Sequence, residues 1–120
     1  MFVISSSIGF SQTIEKSDDK IYSLTASETI PEFVGGIEKL NSYLLKTGFK
    51  TESKTQANLF AMFVVEKDGT LSDVKIYGKR KPENENEIIT ILKESPKWKV
   101  GKVNNIIVRV KYTLPLIPIK

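Results

Sequence analysis

At 120 residues, 40% of them hydrophobic and 27% charged, the chain has the makeup of one folded domain, and at this length a domain buries roughly two thirds of the surface its unfolded chain exposes. It contains no cysteine and no histidine, which excludes disulfides, thiol nucleophiles, imidazole bases and the usual zinc ligand sets. Eighteen Lys and Arg against 14 Asp and Glu leave a net charge of +4, a mild basic excess that favours acidic partners without specifying one.

Residues 1–11 begin MFVISSSIGF, apolar and small side chains with Ser11 and Gln12 following, and read as the tail of a secretory signal peptide. The alternative is a short buried strand. The positive region that ordinarily precedes such a segment is missing, so the chain is expected to start inside a longer signal. Residues 12–19 are polar and read as a flexible leader, and residues 20–118 as the folded domain. No stretch reaches the roughly 18 consecutive apolar residues of a membrane-spanning helix. The expectation is an exported, soluble, periplasmic protein.

Within the domain, residues 20–26 alternate weakly through Ile21 and Leu24 and predict a short first strand. Pro31 breaks it, and Gly35-Gly36 lets the chain turn into the next element. From Ile37 to Thr47, Ile37, Leu40 and Leu44 are spaced to share one helical face, and Gly48 stands where a C-terminal cap belongs. Residues 49–58 are polar. The apolar run from Leu59 to Val65, the turn signal Lys67-Asp68-Gly69 and the apolar positions Leu71, Val74 and Ile76 predict an antiparallel hairpin. Leu59, Ala61, Phe63 and Val65 should face the helices; Phe60, Met62 and Val64 make the other phase unusually apolar. That second face is either covered, for instance by the leader, or a contact surface.

The triplet Lys79, Arg80 and Lys81 beside Pro82 reads as a solvated turn rather than a nucleic-acid patch, because phosphate recognition needs a broader basic surface or interleaved aromatics. Asn84 and Glu87 have the spacing of a capping pair, and Ile88, Ile91 and Leu92 form the stripe of a helix that starts near Glu85 and ends at Ser95-Pro96. Trp98 is placed to plug the junction between helix and sheet, a structural role preferred over ligand stacking. Finally Ile106, Val108, Val110, Tyr112 and Leu114 alternate with Arg109, Lys111 and Thr113 in a strand with one face for a core and one for water. Pro115 and Pro118 lack N–H donors, which predicts that the strand stops there and lies near a sheet edge.

PEFVGG at residues 31–36, GGIEKLNSYLLK, FVVEKDGTLSDVKI at residues 63–76 and Trp98-Lys99-Val100-Gly101 ahead of the last strand occur in an order that resembles the C-terminal domain of TonB, over about residues 21–116. The chain departs from that pattern at Phe49-Lys50, where relatives carry Tyr-Pro, at Asn58-Leu59, where a Gly precedes the strand, and at Val100 and Asn105. A looser connection between the first helix and the hairpin is expected. The resemblance implies an α+β fold of order β-α-β-β-α-β, a small antiparallel sheet with two helices on one face. Tyr43 and Leu44 would pack on the sheet. A complete TonB also has an inner-membrane anchor and a Pro-rich spacer, which are not seen in this sequence, so energy coupling is not implied.

Nothing here signals a nucleophile with its base, a carboxylate pair in a pocket, a metal cluster or a phosphate loop, and no cofactor, metal, catalytic residue or nucleic-acid partner is expected. Glu83, Glu85 and Glu87 suit a helix start rather than acid catalysis. What the resemblance implies instead is strand addition, in which the last strand accepts an extended segment of an outer-membrane transporter or another envelope protein. The expected contact residues are Ile107, Val108, Arg109, Val110, Lys111, Tyr112 and Thr113, with Arg109 and Lys111 selecting acidic or polar peptides. The alternatives are a homodimer through the same strands and a plain edge strand guarded by its charges.

Overall fold

The computed structural model describes residues 19–52 and 57–119; the signal and most of the leader, residues 1–18, lie outside them. In chain order the elements are β1 (Ile21–Tyr22), a 3₁₀ turn (Leu24–Ala26), α1 (Gly36–Leu44), a second 3₁₀ turn (Leu45–Thr47), β2 (Phe49–Lys50), β3 (Leu59–Val65), β4 (Leu71–Gly78), α2 (Glu85–Lys93), β5 (Gly101–Val103) and β6 (Ile106–Pro118). The class is α+β, as expected, with a six-stranded sheet in the order β1-β6-β3-β4 and with β2 and β5 also paired to β6. Two differences from the expected order stand out. Short strands β2 and β5 are added, and the sheet is mixed, because β1 runs parallel to β6 while every other pairing is antiparallel.

The first strand is shorter than its alternation suggested: only Ile21 and Tyr22 pair, and the next residues coil into a 3₁₀ turn closed by the Ser23 side chain. Gly35 and Gly36 adopt φ of +95° and +82°, the left-handed region in which a Cβ is unfavourable, and so deliver the chain into α1. Leu40 and Leu44 bury their side chains, but Ile37 remains 48% exposed, because α1 turns only a narrow stripe inward. Tyr43 packs on Phe33 and its hydroxyl donates to the Ile91 carbonyl at 2.7 Å, joining α1 to α2. Phe49 and Lys50 are held against Pro118 and Ile117, so the connection expected to be loose is tied down at its start.

In the hairpin, Glu66 and Thr70 close the loop by a backbone bond of 2.8 Å, and Gly69 takes φ +87°. The β3–β4 register shifts between Met62 and Val64, where Asp73 sits at φ +52°. One extra residue in β4 is what lets Leu71 and Val74, three apart, both face inward. Asn84 does not cap α2 through a backbone bond. Its amide donates instead to the Glu87 carboxylate at 3.1 Å and to the Thr47 carbonyl at 2.9 Å, which ties the start of α2 to the end of the α1 segment. The β5–β6 hairpin turns on Asn104 and Asn105 with φ of +53° and +67°, a type I′ turn whose twist suits the flanking strands.

One core joins the inward phase of β3, with Leu114 and Leu116 of β6 and Ile76 of β4, to Leu40 and Leu44 of α1 and Ile88, Ile91 and Leu92 of α2. Trp98 is 3% exposed within it, at ring-centroid distances of 5.3 to 5.6 Å from Phe63, Tyr112 and Phe33. Its indole N–H donates to Ser95 Oγ at 3.1 Å, and its backbone N–H to the Gly69 carbonyl at 2.8 Å. On the opposite sheet face Val64 is buried, in a hollow shared with Asp73, Lys75 and Lys111, whereas Phe60 and Met62 are half-buried.

Trp98→Ala should cost roughly 3–5 kcal/mol in urea unfolding through the cavity it leaves. Gly69→Ala should cost about 2 kcal/mol, since a Cβ there would lie 2.6 Å from the Trp98 carbonyl oxygen in addition to the left-handed strain. A loss below about 0.5 kcal/mol for either would show that this junction does not hold the fold together.

Candidate functional site

β6 is not an edge strand along its whole length. It runs 13 residues through both prolines and is the sheet's central ladder. Val110 to Leu116 pair with β3, Ile106 to Val108 with β5, Arg109 and Val110 with β1, and Ile117 and Pro118 with β2.

Which peptide groups this leaves unpaired follows from alternation. In an antiparallel ladder a residue's N–H and C=O point to the same flank, and successive residues point to opposite flanks. Ile119 donates its N–H to the Gly48 carbonyl at 2.9 Å, on the β2 flank. The β3–β6 register is unbroken from Leu59↔Leu116 to Val65↔Val110. Counting back, Ile117, Pro115, Thr113, Lys111 and Arg109 address the β1/β2 flank, and Leu116, Leu114, Tyr112 and Val110 address β3. Pro115 therefore directs its missing donor away from β3, which explains why a proline sits inside a long strand without breaking it. Pro118 lies beyond the last β3 pair.

The result is a gap on one flank of β6. Between the β1 pairing at Val110 and the β2 pairing at Ile117, no strand among the described residues lies against Lys111–Leu116. The parallel pairing of Tyr22 with Val110 already takes the Lys111 N–H onto the Tyr22 carbonyl, so the peptide groups left are the N–H of Thr113 and the carbonyls of Lys111, Thr113 and Pro115. An extended segment could dock there through main-chain bonds.

The expected contact residues divide accordingly. Ile107 and Val108 are taken by β5, and Arg109 and Val110 by β1, so the first four of the seven are engaged within the chain. Tyr112 addresses β3 and stacks on Phe63 at 5.5 Å; burial, followed by the nearby Glu32 charge, pushes its phenol pKa up. Lys111 and Thr113 are exposed and face the gap. Arg109 is not free to select peptides, because it makes a two-point contact with Glu66, Nε to Oε1 at 2.8 Å and Nη2 to Oε2 at 3.0 Å, and donates from Nη1 to the Asp19 carbonyl at 2.9 Å. The Arg109 hydrogen bonds hold the Glu66 carboxyl below its usual range, against a smaller burial effect and helped by the Ser72 hydroxyl.

Beside the gap lies a groove of about 390 Å³. Tyr112 and Trp98 contribute to it together with Pro31, Phe33 and Leu40, and the half-exposed Ile30 and Ile37 stand at its rim. Reading the sequence placed Ile37 in the core stripe and assigned Ile30 no role; the groove arises only when the residues around Pro31 come to lie beside α1. Among the described residues no cluster of carboxylates could hold a metal ion, and no helix is long and apolar enough to cross a membrane. Comparison with protein-family models, curated proteins and solved structures finds no match to this chain.

Amide hydrogen exchange should distinguish the two flanks: Thr113 should exchange at least tenfold faster than Tyr112 and Leu114, and equal protection would close the gap. The Glu66–Arg109 pair adds a pH signature. Because the folded pKa of Glu66 is depressed, its contribution is present above the unfolded carboxylate pKa of about 4 and is lost as pH falls through the folded value. Glu66→Gln should therefore cost about 1 kcal/mol at neutral pH and progressively less on acidification, measured by denaturant titration. A cost independent of pH would remove the pair from the stability account.

Proposed function

We propose that this chain is a non-enzymatic interaction module of the cell envelope that takes up an extended segment of another protein as an added strand along Lys111–Leu116. The observation that carries the reading is the gap in the β6 flank between β1 and β2, framed by strands that hold β6 in register. A ready-made ladder on a rigid strand lowers the ordering cost of docking. The sequence resemblance to the TonB C-terminal domain supports the same reading, with an outer-membrane TonB-dependent transporter or another envelope protein as partner. Export to the periplasm rests on the apolar and small residues of the first 11 positions.

Selectivity on this reading comes from Lys111, which has no carboxylate partner among the described residues, and from the groove beside Tyr112, rather than from Arg109. The partner segment would carry an acidic or polar side chain towards Lys111 and an apolar one towards Ile37.

A homodimer through the same flank is the second reading, favoured by the presence of the gap in every copy. Pro115 weakens it. In a symmetric antiparallel pairing about Thr113, each Lys111 would face a Pro115 that has no N–H, leaving a carbonyl without a donor on both sides.

Thr113→Pro removes a gap-facing donor while leaving the β3 ladder intact. Wild-type protein immobilised and exposed to envelope extract should retain an envelope protein that the variant retains at least tenfold less; equal retention would sink the strand-addition reading. Light scattering of the purified protein should give the monomer mass up to high micromolar concentration, and a doubling of mass abolished by Thr113→Pro would establish the dimer instead.

A further inference from the structure

The basic triplet Lys79, Arg80 and Lys81 is not spread over a featureless turn. It lines the mouth of a cavity of about 520 Å³ at the β2 end of β6. This is within the roughly 300–1,000 Å³ range of small-molecule sites. The walls and floor are apolar, with Leu59 and Leu116 buried beneath and Phe49, Ile117, Pro118 and Ala57 around them. Lys81 has a carboxylate partner, Glu85 at 3.7 Å, whereas Lys79 and Arg80 have none among the described residues. Glu83 is the one carboxylate lining the cavity. The entrance is thus positive and the interior offers little besides apolar surface.

We infer that this cavity binds a single free amphiphile with an anionic head and an unbranched apolar chain, of the class of medium-chain and long-chain fatty carboxylates. The chain lies over Leu59, Leu116 and Ile117, where burying methylenes supplies the affinity. The carboxylate rests at the mouth beside Lys79 and Arg80, exposed enough for their contribution to be modest and salt-dependent. Charge complementarity selects an anion over a neutral or cationic head. A membrane surface is the poorer fit, because recognition of an anionic bilayer draws on clusters of about four to eight Lys or Arg, and the triplet here is flanked by Glu83 and Glu85. The site shares only Leu116 with the segment that borders the β6 gap, and that residue's peptide groups face β3 rather than the gap; its chemistry is different, and it stands or falls independently of strand addition.

Isothermal titration calorimetry of the full chain with dodecanoate, below its critical micelle concentration, should show one site per chain. Dodecan-1-ol should bind at least fivefold more weakly, and acetate should give no signal. The surface double substitution Lys79→Ala/Arg80→Ala should weaken dodecanoate about tenfold with the circular dichroism unchanged. Ala57→Trp, which fills the cavity from its wall, should abolish binding. Equal affinity for dodecanoate and dodecan-1-ol, or no effect of the double substitution, would overturn the assignment. So would binding to phosphatidylglycerol vesicles without binding of monomeric dodecanoate, which would reassign the triplet to a bilayer surface.

Discussion

The β3–β6 ladder is the constraint on which the remaining structure depends. Its seven consecutive pairs, Leu59↔Leu116 through Val65↔Val110, run without a slip, and a slip of one residue would reverse every side chain on both strands. With this register Ala61, Phe63, Leu114 and Leu116 meet α1 and α2 in one core, while Met62 and Thr113 stand on the other face. The same register decides which peptide groups of β6 are consumed and which remain. Pro115 is compatible with the ladder only in the phase observed, since one step either way would aim its missing donor at β3.

Two tethers hold this ladder at the hairpin end. Trp98 fills the space between Phe33, Phe63 and Tyr112 and bonds through its backbone to Gly69, so the chain leaving α2 is fastened to the β3–β4 turn. Arg109 spans from Glu66 in that turn to Asp19 before β1. Apolar packing and a part-buried two-point ion pair therefore act on the same corner from opposite faces of the sheet. The flank left open on Lys111–Leu116 belongs to a strand already fixed by β3, β1 and β2, and the entropy of ordering it has been lost on folding rather than on association.

Functional potential lies where the sheet's short strands end. β1 stops at Tyr22 and β2 at Lys50, and the distance between them along β6 creates the gap. The turn after β4 brings three cations to an apolar hollow that β2, β3 and the end of β6 share. Neither feature needs an unusual residue. Both come from strands too short to cover a partner of 13 residues.

Much of the architecture was legible in local pattern. The hairpin signal Lys67-Asp68-Gly69, the stripe Ile88, Ile91, Leu92 and the alternation from Ile106 to Leu114 each depend on periodicity and turn chemistry within a few residues, and each element formed where that pattern put it. Local pattern failed where pairing was decided at long range. Phe49-Lys50 and Gly101–Val103 are too short to carry a period, and become strands only because β6 offers them donors and acceptors. Ile37 satisfied the helical stripe yet stayed exposed, because nothing in a helix's own sequence says how wide a face its neighbours will cover. Arg109 and Lys111 looked equivalent on one strand face, and only the approach of Glu66, 43 residues away, separated an engaged cation from one with no carboxylate partner among the described residues. By itself the sequence determined the types of the longer elements, the inward phase of β3 and β6 and the inventory from which cysteine and histidine chemistry is missing. The tertiary structure alone decided which flank of β6 stays open, because that depends on where two other strands end rather than on any residue in β6.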